Sequence, residues 1–210
     1  MIPLVTPAEM GAIDAAAPEP TEVLVERAGG AVARAAIDLL GGTYGRRVVA
    51  VCGPGNNGAD GRVAARRLAA RGVGVQIFDA ADAPDALPAA DLVIDAAFGT
   101  GLRDSYRPPA TGGTPVLAVD IPSGVSGWDG SVVADAVSAV ATVTFAALKP
   151  GLVFGEGPDR VGQVSVADIG LDTSGARAHL VEDRDIAEWW AARPREIHKW
   201  NRAVWVVAGS

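Results

Sequence analysis

An α/β domain on a mostly parallel sheet is predicted by three features of the sequence. From Arg46 onward, short apolar runs bounded by Gly, Pro and Asp recur, as buried parallel strands do. A helix-period segment separates the first two runs. The turn that joins the first run to that helix, Cys52-Gly53-Pro54-Gly55-Asn56-Asn57-Gly58-Ala59-Asp60-Gly61, is the glycine-rich kind found at strand-to-helix junctions of open α/β sheets. The chain's 210 residues suit one substantial domain with a well-buried core and leave no room for a second complete one.

Thr6-Pro7-Ala8-Glu9 is a capping box with proline at the first helical position, and the helix it opens must end before Pro18. A second helix starts near Thr21. Its face is Leu24, Ala28, Ala31, Ala35 and Leu39, and Gly41-Gly42 stops it. The strands predicted next are 47–52, 73–78, 92–95, 116–121, 141–145 and, more weakly patterned, 161–166, with a helix from about Ala59 to Arg71 between the first two. Pro108, Pro109, Gly112 and Gly113 predict loop between Asp95 and Val116. Asp183 to Ala192 reads as a final surface helix capped by Asp183, with Ile186, Trp189 and Trp190 on its apolar side. Residues 196–210, after a domain of 1–195, end in a strand-like run that needs a partner.

Eighteen Lys and Arg against 25 Asp and Glu give a net charge of −7, which disfavours nucleic acid as a partner. Phosphates on a ligand must then be met by backbone amides and helix N-termini. No apolar run reaches the roughly 18 residues of a membrane helix. The N-terminus lacks a basic segment followed by an apolar stretch, so a cytoplasmic address is the expectation. Cys52 is the single cysteine and reads as a small buried hydrophobe. His179 and His198 stand apart without zinc-ligand spacing.

Three predicted strand tips carry the polar residues. Gly53, Gly55 and Gly58 fit a phosphate-approaching turn, yet Asn56, Asn57 and Asp60 add a polar load that a plain phosphate cradle does not need. Asp95 ends one strand before the loop Gly99-Thr100-Gly101-Leu102. Asp120 ends the next, followed by Pro122 and Ser123. In a parallel sheet these tips converge on one crevice. Asp79, about 20 residues past Gly58, stands where a conventional dinucleotide-binding enzyme holds a ribose, which supports a rival reading as an NAD-dependent oxidoreductase.

The strings CGPGNNGADG, VIDAAFGTGL, VLAVDIPSGVSG and TVTFAALKPGL, in this order, closely resemble the YjeF N-terminal domain family, over roughly residues 1 to 170. The family's known activity is epimerisation of hydrated NADH and NADPH (NADHX and NADPHX), an isomerase reaction. The resemblance implies a three-layer α/β/α Rossmann-like fold, a homodimer and bound potassium. Carried over, Asn56, Asn57, Gly58, Ala59, Asp60, Gly99, Thr100, Gly101, Leu102, Arg103, Asp104, Ser105 and Asp120 would contact the substrate, while Asn57, Asp95 and Ser123 would ligate K+. That ligand set agrees with the preference of hard cations for carboxylate, amide and hydroxyl oxygens. Ala59 replaces a glycine usual in the family, and the 103–113 loop is short and proline-rich where relatives carry a helix.

Inverting C6 of the hydrated ring requires breaking and remaking a bond there with a proton supplied and withdrawn, and Asp120 is the candidate general acid/base. Lys149 could approach a phosphate or the sheet edge, with a solvated turn lysine the preferred reading, and Arg103 and Arg107 could meet a 2′-phosphate, with surface solvation preferred. The tail from His198 resembles the first strand of the ADP-dependent hydrate dehydratase domain that follows the epimerase domain in bifunctional members. The remaining alternatives are the oxidoreductase and a catalytically silent nucleotide-binding domain. No membrane partner is expected.

Overall fold

The computed structural model describes residues 1–101, 106–132, 134–190 and 196. In chain order the elements are β1 (Ile2–Leu4), α1 (Pro7–Ala15), α2 (Thr21–Leu40), β2 (Arg47–Cys52), α3 (Asn56–Ala69), β3 (Gly74–Asp79), β4 (Leu92–Ala96), β5 (Val116–Val119), β6 (Ala141–Phe145), β7 (Gln163–Ala167), β8 (Ala178–Leu180) and α4 (Asp183–Trp189). Short 3₁₀ turns occupy Pro150–Leu152 and Gly157–Asp159. The main sheet runs β3-β2-β4-β5-β6-β7, and every pair in it is parallel. The α/β class predicted from the apolar runs is the one observed. Among the described residues no helix is long and apolar enough to cross a membrane.

The strand order explains the burial. β2, β4 and β5 lie inside the sheet, and nearly all their residues are buried, as continuous apolar runs demand. β3 and β7 are edges and are only half covered. One face packs Val48, Ala50, Ile94, Leu117 and Val143 against Leu24, Ala28 and Val32 of α2 and Ala64 and Leu68 of α3. On the other face Val49, Val93 and Val116 meet Leu87 and Ala90 from the β3–β4 connection and Val137 and Ala139 from the segment before β6. Extended connections and 3₁₀ turns form that side. Among the described residues between β4 and β5 no helix forms, as the prolines and glycines require.

The first helix begins as predicted: Thr6 Oγ1 accepts from the Glu9 N–H at 3.2 Å, and Glu9 accepts from the Thr6 N–H at 2.8 Å. Gly41 ends α2 in the left-handed conformation, φ 64°. The buried stripe of α2 is Leu24, Ala28, Val32, Ala36 and Leu40, so the predicted face is corrected at its C-terminal half. Leu39 is exposed because Ala36 and Leu40 occupy the sheet side in the last turns of the helix.

Other boundaries move too. α3 starts at Asn56, three residues before the expected Ala59, because Gly55 is extended and serves as the N-cap. α4 is capped by Glu182, with Asp185 closing the box, and stops at Trp189. The 116–121 strand ends at Val119. β1 and β8 form a small antiparallel pair, Ile2 opposite Leu180, which no local pattern announced. Residues 197–210, with the strand-like tail, lie outside the described residues.

Candidate active site

The chain runs from β2 through α3 to β3 on one side, then returns to β4 on the other side of β2. The tips of β2 and β4 therefore flank a topological switch point, where open α/β sheets bind ligands. Gly53 N–H donates to Ala96 O at 2.9 Å, so the two tips touch. A Cβ at Gly53 would lie 1.8 Å from Ala97 O, and one at Gly58 1.9 Å from Gly53 O. At both positions glycine is required for backbone contact, and it seats the N-terminus of α3 at the crevice.

A first polar node lies under the crevice. Asp95 is 3% exposed and Ser123 1%. Asp95 Oδ2 accepts from the Ser123 N–H at 2.8 Å, and Oδ1 accepts from Ser123 Oγ at 2.7 Å. Ser123 Oγ in turn accepts from the Phe98 N–H at 2.9 Å. Burial pushes the Asp95 carboxyl up to about 6, against the lowering effect of its bonds from Ser123 and Ala97. Asn57, on the first turn of α3, has both side-chain atoms, Oδ1 and Nδ2, buried without a hydrogen-bond partner among the described residues. Such an orphan is expensive unless a ligand satisfies it.

A second node is built on two three-residue turns at the ends of β5 and β6. Asp120 has φ 67°, and Ile121 N–H bonds to Val119 O at 2.8 Å across it. Ala146 has φ 61°, and Ala147 N–H bonds to Phe145 O at 2.7 Å. These are positive-φ γ-turns, rare and strained. The first presents Asp120 Oδ1 to Lys149 Nζ at 2.6 Å and to Thr144 Oγ1 at 3.0 Å. Lys149 Nζ also donates to Thr144 Oγ1 at 2.8 Å and to Phe145 O at 3.1 Å.

The reading of Lys149 as a solvated turn lysine is thus corrected: it is 1% exposed and fully engaged. Burial of an ammonium is tolerated only with such partners. Its position just after an apolar strand, on the edge that carries the carboxylates, was the available signal.

The second node, and Asn57 beside the first, border a cavity of about 560 Å³. Asn56, Asn57 and Asp60 reach it from α3, Gly99, Thr100 and Gly101 from the β4 loop, and Asp120 and Lys149 from the β5 and β6 tips. Gly58 and Ala59 stand outside its lining, as do the buried Asp95 and Ser123. Leu102, Arg103, Asp104 and Ser105 lie outside the described residues. Arg107 is exposed and borders a separate depression beside Pro108.

An apolar wall that sequence reading missed comes from Met10, Leu24, Val25 and Ala28 on the helices and from Ile169 and Leu171 beyond β7. Asp60 is 6% exposed, and burial, reinforced by Asp120 and Asp14, lifts its carboxyl to about 8. Asp14 at the cavity rim is also held above the ordinary range, by partial desolvation and by Asp120, against Lys149. Asp79 stands away from the cavity. Exposed, it is held by Arg62, whose other nitrogen donates to Gly53 O at 2.8 Å.

The family model for the YjeF-related protein N-terminus matches residues 21–86 and 78–151. An NAD(P)H-hydrate epimerase of Weissella koreensis is 34% identical over 72% of this chain and 82% of its own length. The bifunctional NAD(P)H-hydrate repair enzyme Nnr of Salinibacter ruber is 32% identical over 90% of this chain but only 45% of its own. The chain spans about half the length of the bifunctional relatives it matches. The crystal structure of yeast ynu0, YNL200c, shares the fold, with a TM-score of 0.62 at 22% identity over 78% of this chain and 86% of that one. With the glycine turn, the two acid-bearing strand tips and the lysine after β6 all within the matched residues, the chain belongs to the YjeF N-terminal family.

Proposed function

We propose that this chain interconverts the R and S forms of hydrated NADH and NADPH, as an isomerase of nicotinamide nucleotide repair. The observation that carries the reading is the Asp120–Lys149 pair at the floor of a cavity that also meets the N-terminus of α3. Helix N-termini and backbone amides suit the substrate's phosphates on a chain of net charge −7. The apolar wall suits a flat ring. Asp120, held at one oxygen by Lys149 and Thr144, acts as general acid/base at the C6 centre.

The residues fit a monovalent cation such as potassium. The donor set of Asn57, Asp95 and Ser123 is all oxygen, and the Asn57 amide has no other partner among the described residues. When bound, the ion supplies positive charge that favours the ionised Asp95 carboxylate and satisfies the Asn57 amide oxygen. A homodimer, a cytoplasmic setting and, in bifunctional form, a fused dehydratase domain belong to the same reading.

Hydride transfer with Asp79 on a ribose draws no support from the structure, since Arg62 engages that carboxylate. The test is stereochemical: purified protein is added to S- or R-enriched NADHX and the forms are separated by chromatography. Rapid equilibration is expected. Equilibration at the uncatalysed rate removes the assignment, and a silent dinucleotide-binding domain would then show affinity without turnover.

A further inference from the structure

The charge around the cavity selects a route for the epimerisation proposed above, on which this inference rests. Among the described residues four charged side chains line the cavity: Asp14, Asp60, Asp120 and Lys149. Lys149 is taken up by Asp120 at 2.6 Å. Asp60 projects from α3 onto the same space, 6% exposed, with no hydrogen bond to its carboxyl among the described residues. Among the described residues Asp60 is therefore a buried acid without a hydrogen-bonding partner that faces the cavity.

Two routes invert C6. Ring opening removes the hydroxyl proton, forms an aldehyde and breaks C6–N1, which builds negative charge on oxygen and then on nitrogen. Loss of water breaks C6–O and builds positive charge over N1 and C6. The Asp120 carboxylate facing the cavity opposes the first, and together with the carboxylate that Asp60 becomes on giving up its proton it stabilises the second.

We propose that Asp60 is the second catalytic residue, the acid that donates its proton to the departing C6 hydroxyl opposite the base Asp120. The C6–O bond breaks, the N1 lone pair forms N1=C6, and the hydroxyl leaves as water. Water then adds to the other face of C6, its extra proton passes to the Asp120 carboxylate, and the N1=C6 pair returns to N1. One proton has moved from Asp60 to Asp120, and the opposite inversion returns it. Nothing else is consumed. The burial of Asp60, reinforced by Asp120 and Asp14 and opposed by Lys149, favours its protonated form, so the donor holds its proton near neutrality.

The experiment has two arms on the full chain. In ¹⁸O-enriched water, C6 of the inverted product should carry solvent oxygen from the earliest turnovers. Inverted product without label overturns the route. In the second arm, Asp60→Asn should lower kcat by about 100-fold or more while the affinity for NADH, read by fluorescence, stays within threefold. The alkaline fall in the parent's kcat should disappear from the residual activity. Turnover of the variant within threefold of the parent, or an unchanged alkaline limb, overturns the role of Asp60. Absence of any epimerisation by the parent protein instead overturns the functional reading itself.

Discussion

Asp60→Asn should make the protein more stable, and by an amount that depends on pH. The carboxyl sits at about 8 in the folded protein against 3.8 in the open chain. Because the folded value is the higher one, the native state holds a proton that the unfolded chain releases between these pH values. Stability contributed by this group therefore falls as pH rises through that window and is fully present only below it. At pH 7 the open chain is favoured by about 3 units, which at 1.36 kcal/mol each is about 4 kcal/mol. At pH 5 the same reasoning leaves about 1.5 kcal/mol.

Asparagine, near in size and without a proton to acquire, is free of this penalty. Urea unfolding of parent and D60N at pH 5, 6, 7 and 8 should show a stability gap that widens by roughly 2–3 kcal/mol between pH 5 and 7. A gap that stays constant across this range would show that Asp60 is ionised in the folded protein, and its place in the chemistry would go with it. A variant more stable than its parent and yet inactive separates loss of catalysis from loss of fold.

Three other outcomes follow from the same geometry. Gly53→Ala places a methyl group 1.8 Å from Ala97 O, a backbone atom that cannot swing away, and should destabilise the fold by about 3 kcal/mol in denaturant titration. Lys149→Met keeps the length of the side chain but strands Asp120, and should lower stability by about 2–3 kcal/mol and epimerase turnover more than tenfold. Potassium chloride should raise the parent's melting temperature above that in tetramethylammonium chloride of equal ionic strength, with the difference abolished in Ser123→Ala; equal melting in the two salts would remove the cation site.

The central strands were legible because β2, β4 and β5 are covered on both faces, which forces uninterrupted apolar runs into the sequence. The acid-bearing tips were legible for a related reason: Asp95 and Asp120 follow those runs directly, and parallel order brings the ends together. What escaped depended on distance in the chain. β1 and β8 are three residues each, and pair across the whole domain with no periodicity to reveal them. Asn56 and Asn57 resemble turn residues and so conceal the start of α3, although Gly55 is the residue that caps it. Lys149 carried no local mark of burial. Only the fold shows that Thr144, Phe145 O and Asp120 surround its ammonium group. The apolar cavity wall was hidden likewise, since Met10, Leu24 and Leu171 also read as ordinary core residues.

The sprung turns at Asp120 and Ala146 sit on neighbouring strands, and Lys149 bolts one to the other. Each would relax alone. Joined, they behave as a loaded bracket: the carboxylate cannot swing away from the ring without giving up its ion pair, so its aim is set during folding and needs little rearrangement at the moment of reaction. A protein arranged in this way should tolerate change across its exposed helices far better than within the stretch from Phe145 to Lys149, where one altered residue disturbs both the spring and the bolt.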